Sequence, residues 1–95
     1  MAQELDTTKY GVLTERTYRK TAAVQAVKAD AKKFSMIRKW ANNQIRRVHD
    51  RLWYITTREG ELSICLADDY YICKGIDGEV WPVRADIFEK TYEVL

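Results

Sequence analysis

The chain has 95 residues, of which 46% are hydrophobic, 12% aromatic and 32% charged. This supplies apolar material for one core but too little chain for two independent domains, and it excludes a globally disordered polymer. Sixteen Lys and Arg against fourteen Asp and Glu leave a net charge of +2, far from the strongly basic balance of an obligate nucleic-acid binder. No stretch reaches the roughly 18 apolar residues of a membrane span, and the first residues lack the basic start and apolar centre of a secretion signal. A soluble, cytoplasmic protein is expected.

The charge is uneven along the chain. Residues 1–50 carry eleven basic and five acidic side chains, and residues 51–95 carry five and nine. Half of the sixteen basic residues lie between Lys28 and Arg51, so the composition predicts a bipolar surface.

Residues 1–14 show no sustained apolar period and read as an N-terminal extension, with Tyr10, Val12 and Leu13 available to dock. Residues 15–95 read as a single domain. Weak alternation across RTYRKTAAVQAVK predicts a strand over about 18–28, while its alanines keep a helix open as the alternative. Asp30 is a suitable N-cap, and Phe34, Ile37, Trp40 and Ala41 recur at helical spacing. An amphipathic helix of about three turns follows from that period, stopped by Asn42-Asn43 because Asn tolerates left-handed backbone.

From Gln44 onward, short β-rich runs alternate with turn residues. Strands are expected near 44–49 and 52–57, then across Glu61–Leu66, Tyr70–Lys74 and Glu79–Val83. Gly75 and Gly78 supply the backbone freedom of a tight hairpin, and Pro82 places its strand at an edge or a strand end. Asp86 is expected to cap one turn around Ile87-Phe88-Glu89, with Thr91–Val94 closing as a final strand. The predicted class is α+β: a mainly antiparallel sheet of about five or six strands on one amphipathic helix.

No reactive constellation stands out. His49 is the only histidine, and with Cys65 and Cys73 it lacks the close pairs of a zinc site. The cysteines have apolar neighbours and suit buried reduced thiols. Asp68, Asp69, Glu61 and Asp77 do not follow the alternating pattern of a calcium loop. The Gly75–Gly78 turn joins strands and lacks the Lys and Ser or Thr of a phosphate loop. No enzyme activity, metal or cofactor is expected.

The run from Lys74-Gly75 through Gly78-Glu79, Trp81-Pro82, Arg84 and Asp86-Ile87-Phe88 to Thr91-Tyr92-Glu93 resembles the ending of a family of small bacteriophage and prophage proteins. Tyr18-Arg19-Lys20 is similar to that family's opening strand, and Thr57-Arg58-Glu59-Gly60 to its central turn, so the resemblance spans about residues 17–95. Two departures stand out. Asp68-Asp69-Tyr70 replaces the family's Pro-Gly-Asp, and Arg84-Ala85 replaces its Lys-Pro. The resemblance implies phage origin, a bacterial host cytoplasm and an α+β fold, and it implies no reaction.

Two features are candidates for a binding surface. Lys32, Lys33, Arg38, Lys39, Arg46 and Arg47, together with Arg19 and Lys20, form a basic set suited to phosphates or to an acidic protein; a solvated helix face explains the helical members equally well. Trp81 near Tyr70, Tyr71 and Tyr92, with Arg84 and Lys90, forms an aromatic-basic set that is either core or an exposed recognition patch. The expected role is an accessory protein that binds a host or phage protein, as an inhibitor of an anti-phage defence system. The alternatives are nucleic-acid binding through the basic half, or sequestration of a nucleotide-like signal. Unpaired sheet edges suggest a homodimer.

Overall fold

The structure, a computed structural model, describes residues 2–7, 11–18 and 23–95. The strands are β1 (Ala2–Thr7), β2 (Gly11–Arg16), β3 (Gln25–Lys28), β4 (Ile45–His49), β5 (Leu52–Thr57), β6 (Gly60–Cys65), β7 (Tyr70–Lys74) and β8 (Val80–Arg84). The helices are α1 (Phe34–Trp40), entered through a 3-10 turn at Ala31–Lys33, and α2 (Ala85–Thr91). The α+β class is as expected. Rather than one sheet of five or six strands, the chain builds two three-stranded antiparallel sheets, β4-β5-β6 and β3-β7-β8, besides a β1-β2 hairpin.

The segment read as an extension thus pairs with itself, from Ala2 opposite Arg16 to Thr7 opposite Gly11. Leu13 is exposed rather than docked; Tyr10 and the Val12 side chain lie outside the described residues. So do Arg19 and Lys20, which fall in the predicted strand over 18–28. Within that range the strand is limited to Gln25–Lys28.

The two sheets face each other around α1. Period two sends Ile45, Trp53, Ile55 and Ile64 to the inner face of β4-β5-β6, and Val27, Ile72 and Val80 to the facing side of β3-β7-β8. Ile37 and Ala41 close the cluster from α1. Trp53 is fully buried, packs edge-on against Phe34 at 5.0 Å, and donates its indole N–H to the Asp50 carbonyl at 3.1 Å.

The start and stop of α1 follow the sequence signals. Asp30 Oδ1 accepts the Lys32 amide at 2.9 Å. Asn42 and Asn43 take φ of 56° and 62°. Their amides reach back to the carbonyls of Lys39 at 3.1 Å and Arg38 at 2.9 Å, the two-bond left-handed cap that ends many helices. Gln44 then donates to both the Ala41 and Gly78 carbonyls at 2.9 Å, fastening the helix end to the β7-β8 hairpin.

That hairpin accounts for much of the C-terminal motif. Gly78 has φ of 79°, and a Cβ on Gly75 would collide with the Glu79 carboxylate. Arg58, from the β5-β6 turn, donates to Asp77 at 2.8 Å and Glu79 at 3.1 Å, which ties the two sheets together at their hairpin ends. Gly75 N bonds Glu79 O and Ala85 N bonds Asp69 O. Alternation between those points leaves the backbone nitrogen of Pro82, opposite Ile72, facing the open edge of β8. Pro82 therefore costs no ladder bond.

Three local expectations are corrected. Asp86 does not cap: Arg84 holds the N-cap position without a side-chain cap bond, and Asp86 pairs with Arg84 Nε at 3.4 Å. No strand forms over Thr91–Val94; the helix continues through Thr91, whose hydroxyl donates to the Ile87 carbonyl at 2.8 Å. Cys73 is buried, but Cys65 is exposed because alternation along β6 sends it outward with Glu61 and Ser63.

Candidate functional site

The predicted basic surface is divided by the fold. Arg46 and Arg47 are neighbours in sequence, so on β4 they point to opposite faces of the sheet. Arg46 lies on the outer face over the Tyr54 ring, 4.3 Å from its centroid, and makes a two-pronged bond to Glu61 at 2.9 and 3.0 Å. This bond holds the Glu61 carboxyl below the usual carboxylate range and raises the Arg46 guanidinium. Arg47 goes to the inner side, where it covers the Phe34 ring at 4.6 Å and stands 3.7 Å from Asp50. Both are engaged within the fold.

Lys32, Arg38 and Lys39 are exposed around the 3-10 turn and α1. The aromatic-basic set is also divided. Trp81 alternates with Arg84 and lies on the other face of β8. The rings that gather are Tyr71, Phe88 and Tyr92, stacked with centroids 4.1 and 4.7 Å apart. Trp81 and Tyr70 are not part of that stack, and both are half-buried. Lys90 is exposed in the last turn of α2. Among the described residues no group of three His, Cys, Asp or Glu is placed to hold a metal ion.

What the fold does assemble is a groove of about 890 Å³ between the end of β3, the 3-10 turn, α1, the β4-β5 turn and the residue after β6. Its apolar walls are Val27, Met36, Ile37, Trp40 and Leu66. Lys28, Lys33 and Arg51 stand around them with Asp30 as the carboxylate. Lys28 is also 3.7 Å from Asp69, a contact between exposed groups that is weak in water. Lys74 lies over the Trp40 ring at 4.4 Å and donates to the Trp40 carbonyl at 3.1 Å, fixing the indole. Met36 is 70% exposed and stands at the groove wall on α1.

Of the predicted surface residues, Lys33 lines this groove. Its neighbours Met36, Ile37 and Trp40 follow at spacings of three, four and seven, so one mixed apolar-basic helix face was readable in the sequence. Arg51 and Leu66 were not, because they meet only through the strand register, in which the Leu66 amide donates to the Arg51 carbonyl at 2.7 Å.

No protein family, curated protein or solved structure matches the chain.

Proposed function

We propose that this protein acts by binding a protein partner, through the groove between α1 and the end of β3. The groove itself carries this reading. It combines seven apolar side chains, two of them alanines, with three cations and one carboxylate, a lining suited to a partner segment that alternates apolar and acidic residues. The resemblance of the C-terminal motif supports a phage-encoded accessory protein in a bacterial host, and the small size and bipolar charge fit a protein that blocks a component of an anti-phage defence system. Nucleic acid fits less well, because Arg46 and Arg47 point to opposite faces and pair with Glu61 and Asp50, which interrupts any continuous phosphate-tracking stripe.

The test is capture from nuclease-treated bacterial lysate by three proteins: wild type, a Lys33→Glu/Arg51→Glu variant and a Lys32→Glu/Lys39→Glu control. A stoichiometric protein retained by wild type and control but lost from the groove variant is the expected result. Equal loss in both variants, or capture of nucleic acid that falls steeply with salt, overturns it. A nucleotide extracted from the eluate in place of a protein also overturns it and favours sequestration.

A further inference from the structure

The four outer strands of the two sheets differ in how they meet solvent. β8 presents Pro82, whose missing N–H falls on its open side. β4 is interrupted by a register shift between Arg47 and His49. β3 is four residues long and carries Lys28. These are devices that discourage a further strand. β6 has no proline and no register shift: its six residues, GELSIC, run in unbroken register with β5, and its one charged side chain, Glu61, is bonded to Arg46 of its own sheet.

The direction of its free backbone groups follows from the ladder. The Leu66 amide bonds the Arg51 carbonyl, so alternation turns the N–H and C=O groups of residues 60, 62 and 64 toward β5 and those of Glu61, Ser63 and Cys65 away from it. The Cys65 carbonyl also accepts the Asp68 amide at 3.2 Å. Among the described residues no strand pairs with this side of β6.

We infer that β6 is the edge through which two copies of this chain join, antiparallel, about a two-fold axis at Ser63. Pairing Ser63 with Ser63 of the other copy sets Glu61 opposite Cys65 and uses all three outward residues on each strand. A register centred on Glu61 would oppose two carboxylates and overlap less. On the inner face the chosen register brings Leu62, 47% exposed in the single chain, against Ile64 of the other copy. On the outer face Glu61 stays bonded to Arg46 of its own chain, so the junction contains no opposed like charges. None of Glu61, Leu62, Ser63 or Cys65 lines the groove, and the two proposals stand or fall separately.

Sedimentation over a wide concentration series tests this, with the full chain. Wild type should reach twice the 11.2 kDa chain mass. Ser63→Lys, which sets two ammonium groups face to face on the axis, should stay at the single-chain mass with an unchanged circular dichroism spectrum. A Ser63→Cys/Cys65→Ser variant treated with diamide should form a covalent dimer, and a Leu62→Cys/Cys65→Ser variant much less. Wild type at single-chain mass throughout overturns the inference, as does a dimer that persists undiminished in Ser63→Lys. If Ser63→Lys proves unfolded, the two cysteine variants decide: equal cross-linking, or none, overturns it.

Discussion

The two three-stranded sheets have the same strand count and the same antiparallel order, but they divide their faces differently. In β4-β5-β6 one face is core and the other meets solvent, with Arg46, Glu61 and Ser63 exposed and Tyr54 half-buried beneath Arg46. In β3-β7-β8 both faces are apolar. Val27, Ile72 and Val80 meet the core, while Ala26, Tyr71, Cys73, Trp81 and Val83 lie behind them, where Phe88 of α2 stacks on Tyr71. The first sheet needs one covering layer. The second needs two, and α2 supplies the other. That requirement explains why Ala85–Thr91 forms a helix packed on the sheet rather than a turn followed by a strand.

The comparison breaks hardest at the shared core. Trp53→Ala removes the largest fully buried side chain and should cost about 3–5 kcal/mol, read as a lower denaturation midpoint with loss of both sheets together. Phe88→Ala should cost less, about 1–2 kcal/mol, and should raise amide exchange in β7 and β8 while leaving β4-β5-β6 protected. If Phe88→Ala deprotects both sheets equally, α2 is not a separate second cover. A smaller contrast lies within β4. Arg47→Ala should destabilise by about 1 kcal/mol through the lost cover on Phe34, and Arg46→Ala on the wet face by less, compared by denaturant unfolding. The smallest effect is that of Glu61. Its carboxyl is held below its unfolded value by Arg46, so the bond stabilises above the unfolded carboxylate range, about pH 4.3, and is lost as pH falls through the folded value. Carboxyl NMR titration should show the Glu61 midpoint rising in Arg46→Gln; an unmoved midpoint would remove Arg46 as the cause.

The local structure was legible where one residue type settles one geometry. Asp30 at a helix start, Asn42-Asn43 at its end, the LWYITT strand and the Gly75–Gly78 hairpin each form as their chemistry requires. The division into two sheets was not legible, because alternation reports which residues share a face but not which strands pair. The same limit hid the site. Arg46 and Arg47 are adjacent in sequence and separated by the pleat, whereas Lys33 and Arg51 are far apart in sequence and gathered by the fold. The C-terminal run from Lys74 to Glu79 supplies Gly75, Gly78 and Glu79 to a hairpin held by Arg58. It reports on folding more than on binding.

The groove is the centre of the functional reading, and photo-crosslinking from Met36 probes it most directly. A benzophenone amino acid placed at Met36, irradiated in bacterial lysate, should join the chain to one protein. The same group placed at Tyr54, on the outer face of β4-β5-β6 and away from the groove, should not. A common adduct from both positions, or none from Met36, would contradict the account.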